Sequence, residues 1–312
     1  MMQDAFGATI LNLFAELNLA DLEQWIQQAR SQAASGRVAD RIPLLAKAQP
    51  DEFALCIDGE VRQVWGSIDR RFVLMSAIKP FVLLQLLQQV GAKTVFGWVG
   101  TEASDAPFNS LVQLTLDRGQ PRNPMINSGA IVLADKLPGK TAGDRCENLR
   151  LWLNHYAGCK LTFDAAMLAS VQSAGRVPNQ AIVQALTTAN RLDRPQLALE
   201  TYEQICCLSA NVQDLARLGL LLALPQPQIQ AANRAAVNAL MLTCGLYEAS
   251  GAYAVRIGLP IKSGISGALL ATIPGRGAIA CYSPALDSVG NPVVGLALIE
   301  TIARELNLSI FA

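Results

Sequence analysis

Apolar residues near the start of the chain recur at helical spacing: Leu13, Phe14, Leu17, Leu19, Leu22, Trp25 and Ile26. This period predicts one or two amphipathic helices over residues 8–34, ended by Gly36. Residues 38–47 read as a further short helix that stops before Pro50. The period then becomes alternating. Residues 53–57 and 61–65 flank Asp58-Gly59, a pair that favours a tight hairpin turn. From Ser76 to about Leu224 the pattern is mainly helical, broken at residues 100–124 and 138–144. Connections as long as the first of these, inside a compact domain, usually carry function. Pro225-Gln-Pro227 closes the helical stretch. A helix near 232–242 follows, then strand signals at 252–259, 267–273 and 278–282, with Gly275-Arg-Gly277 as a turn. Residues 296–306 read as a C-terminal helix.

These elements predict an α+β fold. The early hairpin and three late strands form one mostly antiparallel sheet flanked by the terminal helices, with a helical lobe inserted between them. The expected division is residues 1–35 as N-terminal helices, 36–80 with 235–312 as the sheet-bearing lobe, and 81–234 as the helical lobe. Ser76 falls where the lobes meet, a usual place for a small-molecule pocket.

Composition narrows the function. The chain of 312 residues is 51% hydrophobic and 16% charged, with 25 basic and 25 acidic side chains. No basic face is implied, so nucleic acid is not an expected partner. Zero net charge on an apolar chain suggests surface covered by a second copy. Seven cysteines without a C-x-x-C pair, and a single histidine, His155, give no metal-like spacing. The cysteines read as small buried hydrophobes in a reducing compartment, and no metal or cofactor is expected. The first 20 residues lack a basic signal-peptide region, and no apolar run reaches membrane-spanning length. A cytoplasmic protein with no membrane partner is expected.

The chemistry concentrates at Ser76 and Lys79. Three residues apart, they share one face of a helix. A desolvated lysine there sheds its proton near neutral pH and serves the serine as base. Ser-x-x-Lys is the nucleophile motif of serine acyl enzymes that work without histidine. The plainer reading is an N-cap serine followed by a solvated lysine. A second motif, Lys262-Ser263-Gly264, shifts the balance. Two lobes joining Ser-x-x-Lys to Lys-Ser-Gly resemble the β-lactamase/transpeptidase-like fold of serine β-lactamases and DD-peptidases.

Longer segments carry a closer resemblance. They are Val38-Ala-Asp-Arg-Ile-Pro43, Phe72 through Lys79, Val99-Gly-Thr-Glu-Ala-Ser104, Phe108-Asn-Ser-Leu111, Pro121-Arg-Asn-Pro-Met-Ile-Asn-Ser-Gly-Ala130, Cys244-Gly-Leu-Tyr247 and Gly258-Leu-Pro-Ile-Lys-Ser-Gly264. In this order they resemble the serine-dependent glutaminases, which hydrolyse L-glutamine to L-glutamate and ammonia. The resemblance implies Ser76 as nucleophile, Lys79 as base and Tyr247 as a partner in proton transfer. It implies backbone N–H groups of Ser76 and Ile265 for the oxyanion, and Asn127, Asn179 and Tyr202 as substrate contacts. Lys262, Ser263 and Gly264 would support the site. It also implies a homodimer or homotetramer acting on a small molecule.

Two departures concern recognition. The family carries a glutamate directly after a serine upstream of Asn179, and it binds the substrate's α-ammonium. Here its place falls to Val171 counted from Ser170, or to Gln172 counted from Asn179. Arg41 stands where the family has a tyrosine lining the substrate site. Both changes weaken the case for a free amine in the pocket. Met75 and Ile78 also differ from the family's glutamine and serine, while Ser76 and Lys79 remain. Three readings follow: a glutaminase; the same machinery on an amide without a free amine; and a non-catalytic relative, which the retained pair disfavours.

Overall fold

The structure, a computed structural model, describes residues 17–174 and 176–312. Residues 8–16 of the expected N-terminal helix, with Leu13 and Phe14, lie outside them. The remainder is α1 (Leu19–Arg30), whose N-cap Asn18 accepts from the Ala20 N–H at 3.0 Å, followed by a 3-10 turn at Ser31–Ser35. Leu22, Ile26 and Ala29 face inward.

Residues 38–47 differ from expectation: only Leu45–Lys47 forms a 3-10 turn. Pro43 interrupts the helical pattern, and Arg37 exchanges two backbone hydrogen bonds with Leu286, at 2.8 and 2.9 Å. The hairpin forms, with β1 (Ala54–Asp58) antiparallel to β2 (Gln63–Gly66). Its turn is wider than Asp-Gly alone predicts, because Arg62 reaches back to Asp58 at 2.8 Å and closes a longer loop.

The chain continues through β3 (Phe72–Val73), α2 (Lys79–Val90), α3 (Ala92–Trp98), α4 (Leu111–Leu116), α5 (Asn127–Lys136) and α6 (Ala142–Ala157). Then come β4 (Thr162–Phe163), α7 (Ala165–Ser173), α8 (Val177–Thr188), α9 (Pro195–Cys206), β5 (Leu208–Ala210), α10 (Val212–Ala223) and α11 (Ala231–Cys244). The last elements are α12 (Ser250–Arg256), β6 (Ile261–Ser263), β7 (Ala268–Ile273), β8 (Gly277–Tyr282) and α13 (Val293–Glu305).

The main sheet is antiparallel throughout, in the order β2-β1-β8-β7-β6. Side chains alternate across it. Leu55, Ile57, Leu269, Ala271, Ile279 and Cys281 pack in one cluster with α1 and α13. Ala54, Cys56, Ala268, Leu270, Ala278 and Ala280 join the other cluster, with α10. Gly219 lets α10 settle on the sheet: a Cβ there would stand 2.6 Å from the Ala278 Cβ. A small second sheet, β3-β5-β4, takes two of its strands, β4 and β5, from the stretch that reads as helical, and all three are too short to leave a periodic signal.

One predicted strand is a helix. Residues 252–259 contain most of α12, where Ser250 Oγ accepts from the Leu246 N–H at 3.0 Å and donates to the Tyr247 carbonyl at 2.6 Å. A four-residue alternation of small and large side chains fits either period. Val255 consequently points to solvent, 89% exposed. The third late strand is β6, so Lys262 and Ser263 lie within an edge strand rather than ahead of one. Among the described residues, no helix is long and apolar enough to cross a membrane. All seven cysteines are buried and free of disulfides, and burial pushes the thiols of Cys56, Cys146 and Cys159 up to about 12.

Candidate active site

Ser76 lies in a 3-10 turn, Met75–Ile78, that feeds directly into α2. The Lys79 backbone N–H donates to the Ser76 carbonyl, and in a 3-10 turn residues i and i+3 eclipse, so the two side chains rise from one face. Met75, just before the serine, is left-handed at φ 47°. Non-glycine residues hold such angles where surrounding packing imposes them, most often at functional sites. Ser76 is not an N-cap, and Lys79 is not solvated: its side chain is buried with 2% exposure.

Asn127, the first residue of α5, ties the lysine to the helical side. Lys79 Nζ donates to Asn127 Oδ1 at 2.9 Å and to the Met125 carbonyl at 3.0 Å. The Tyr202 hydroxyl, on α9, donates to the same Oδ1 at 2.9 Å. Asn127 Nδ2 donates to Asn179 Oδ1 at 3.1 Å. One side chain thus joins three helices. Its motif explains the placement: Asn123 Oδ1 accepts from the Met125 and Ile126 N–H groups and turns the loop into α5. Gly129 accepts that loop, since a Cβ there would meet the Asn123 carbonyl oxygen. Both of Lys79's partners are neutral acceptors, so burial sets its charge and lowers its pKa to about 8. Asn179 lies in the first turn of α8 rather than capping it; Arg176 holds the N-cap position.

The β6 side closes the opposite wall. Lys262 is fully buried; its Nζ donates to the Gly245 and Ser263 carbonyls at 2.9 and 2.7 Å and stands 4.5 Å from the centre of the Tyr247 ring. Burial first, then the charge of Lys79, pushes its pKa well down. Ser263 Oγ donates to Asn291 Oδ1 at 2.7 Å, and Asn291 Nδ2 donates to the Leu246 carbonyl at 3.3 Å. Tyr247 is left-handed at φ 58° and packs on Phe108 at 4.7 Å. Burial raises its hydroxyl to about 12, against the smaller opposing pull of the Ser76 and Ser263 hydroxyls. Those two serines are its polar neighbours, though no hydrogen bond from its oxygen is fully formed. Gly264 lets the loop after β6 lie against the turn that carries Ser76: a Cβ there would stand 2.5 Å from the Leu74 carbonyl oxygen and 3.5 Å from the Ser76 nitrogen. Ile265 follows at that contact.

Gly245 is the tightest of these approaches, since an added Cβ would overlap the Ile261 carbonyl oxygen. Gly245→Ala is expected to cost about 1–3 kcal/mol or more through forced backbone displacement. A denaturant midpoint lowered at unchanged slope would register it.

A cavity of about 180 Å³ opens between these walls. Ser76, Asn127, Asn179, Tyr202 and Ile265 all line it, with Met75, Phe108 and Cys206. Lys79, bonded to Asn127, and Tyr247, packed on Phe108, stand behind that surface, and Lys262 lies behind Tyr247. The volume is below the roughly 300–1,000 Å³ of drug-sized sites, which fits a small substrate. The recognition departures are resolved by position. Val171 lines the cavity, whereas Gln172 is exposed and does not. Arg41 lines it as well. Sequence reading missed three residues here: Asn291, and the pair Arg176 and Glu203, which also line the cavity. The only local signal for the acid is its place directly after Tyr202.

An antiparallel sheet clasped by helices, with a serine that lines a pocket and a buried lysine behind it on the same turn, defines a β-lactamase-like enzyme. The comparisons make the class particular. The Glutaminase family matches residues 36–311, and the chain belongs to that family. It is 45% identical over 286 residues to a glutaminase of Synechocystis sp., covering 90% of this chain and 88% of that protein. It is 36% identical over 305 residues to a glutaminase of Cronobacter sakazakii, covering 95% and 99%. Solved structures agree. "Probable glutaminase ybaS" superposes with a TM-score of 0.86 at 32% identity, over 95% of this chain and 99% of that one. A Bacillus subtilis probable glutaminase complexed with 6-diazo-5-oxo-L-norleucine gives 0.84 at 29% identity, over 94% and 96%.

Proposed function

We propose that this enzyme hydrolyses L-glutamine to L-glutamate and ammonia through an acyl-enzyme on Ser76. The observation that carries the reading is Lys79: fully buried, touching only neutral acceptors, and one helical turn from a serine that lines the cavity. A neutral Lys79 amine takes the Ser76 proton as Oγ attacks the γ-carboxamide carbon. The Ser76 and Ile265 N–H groups stabilise the oxyanion. Collapse breaks the C–N bond, and ammonia leaves with the proton returned from Lys79. Water then attacks the acyl carbon and gives a proton to Lys79, and Ser76 departs and recovers it. Tyr247, whose hydroxyl neighbours Ser76, shares in the proton transfer beside Lys79, while Lys262 anchors the Gly245 turn that presents it. Asn127, Asn179 and Tyr202 hold the substrate.

The test is ammonia release from L-glutamine, with 6-diazo-5-oxo-L-norleucine as covalent probe, since a glutaminase at 28% identity forms a covalent complex on reaction with it. Adduct mapped to Ser76 is expected; turnover without any Ser76 adduct would defeat the acyl-enzyme. Val171 and Arg41 in the cavity wall favour the second reading, an amide without a free amine. In that case Ser76 is labelled by a general serine reagent while glutamine is left intact.

The same resemblance supports a cytoplasmic homodimer or homotetramer; within each copy, residues 81–234 form a helical lobe against the sheet-bearing lobe of 36–80 and 235–312, with 1–35 as N-terminal helices. Val112 and Leu116, 72% and 71% exposed on α4, leave apolar surface for a second copy. Light scattering on the purified chain decides the assembly.

A further inference from the structure

The cavity wall contains a buried acid that the steps above do not use. Glu203 lies on α9, next to Tyr202, with its side chain only 2% exposed. Arg176, at the N-terminal end of α8, grips it with both arms: Nε donates to Oε1 at 2.7 Å and Nη2 to Oε2 at 2.6 Å. Both residues line the same cavity as Ser76 and Asn179. An ion pair removed from water is weak evidence for stability, because desolvation offsets most of its attraction. A pair kept in a substrate pocket therefore calls for another use.

Geometry supplies one. A carboxylate accepts at about four lone-pair sites, and the guanidinium fork occupies two. The others are available to a donor inside the cavity. The pair presents a negative and a positive end side by side, the electrostatic mirror of an amino acid's ammonium and carboxylate. Helix α7, which carries Val171, packs against α9, so the acid enters the pocket from the helix next to the one that offers only valine.

We propose that Glu203 is the anchor for the substrate's α-ammonium, and that Arg176 positions it and faces the α-carboxylate. The inference rests on the glutaminase reading and deepens it: the substrate class is a free α-amino acid amide, not an N-acylated or deaminated one.

The experiment compares kcat/KM for L-glutamine and for glutaramate, the same amide without the α-amine, in wild type, Glu203→Gln and the double variant Arg176→Gln/Glu203→Gln. Wild type is expected to prefer glutamine. Glu203→Gln lowers glutamine kcat/KM about 10- to 100-fold, mainly through KM, as for loss of a hydrogen bond to a buried charge. Glutaramate changes by less than about threefold, so the preference collapses. The double variant, which leaves no unpaired guanidinium, shows the same collapse even if the single variant folds poorly. Equal losses on both substrates, with the preference preserved, would mean a structural pair and overturn the anchor alone. Wild type that labels at Ser76 yet releases no ammonia from glutamine would overturn the glutaminase reading and the anchor with it.

Discussion

Ser76→Ala is expected to lower ammonia release from L-glutamine by at least about a thousandfold and to abolish covalent labelling by 6-diazo-5-oxo-L-norleucine, with little change in melting temperature. The catalytic part follows from the pocket. The Tyr247 hydroxyl, a neighbour of Ser76, is buried and shifted up to about 12, and that of Ser263, beside Tyr247, is committed to Asn291 at 2.7 Å. Neither is positioned as a replacement nucleophile. What remains after the substitution is the oxyanion donors and a lysine able to polarise water, which yield a small residual rate. The stability part follows from local packing. The turn holding Ser76 is fixed by backbone bonds, Ala77 N–H to the Leu74 carbonyl and Lys79 N–H to the Ser76 carbonyl, and alanine keeps both. An unchanged melt beside a lost rate separates chemistry from folding; an enzyme that keeps a tenth of its rate would exclude Ser76 as nucleophile.

Much of this site is legible in the chain because its chemistry is local. Ser76 and Lys79 need only a turn to meet. Asn123, Asn127 and Gly129 form one loop whose internal bonds explain their spacing. The sheet was legible where alternation ran for five or six residues, as in β1, β7 and β8. It failed at β6, three residues long, and at residues 252–259, where a short alternating run is helical because Ser250 bonds both Leu246 and Tyr247. Whether Val171 or Gln172 faces the pocket depends on the placement of α7, which one-residue alignment shifts cannot supply. Glu203 and Arg176 are 27 residues apart and meet only because α8 and α9 pack side by side. Asn291 reaches Ser263 across 28 residues. Pairings of that kind are properties of the assembled fold, so the recognition shell was harder to read than the nucleophile.

The pH profile carries the second large effect. In the proposed mechanism Lys79 accepts the Ser76 proton and must be neutral to do so, and burial lowers its pKa to about 8. Below that value the neutral fraction falls tenfold per pH unit. The expected kcat/KM for glutamine therefore rises with unit slope up to about pH 8 and levels above it. Lys79→Met removes the base and is expected to lower kcat about 10²–10⁴-fold, leaving what remains without that limb. Lys262 is the rival source, also buried and also lowered, so a limb that survives in Lys79→Met would move the base role away from Lys79. Lys79→Arg sharpens the argument. Arginine keeps a cation beside the Met125 and Asn127 acceptors but cannot give up its proton in a protein. If Lys79 acted only by its charge, the arginine variant would retain activity at pH 7. A folded Lys79→Arg enzyme that binds glutamine and releases no ammonia fixes the role of Lys79 as proton transfer, because charge and hydrogen bonding are then present and the removable proton alone is missing.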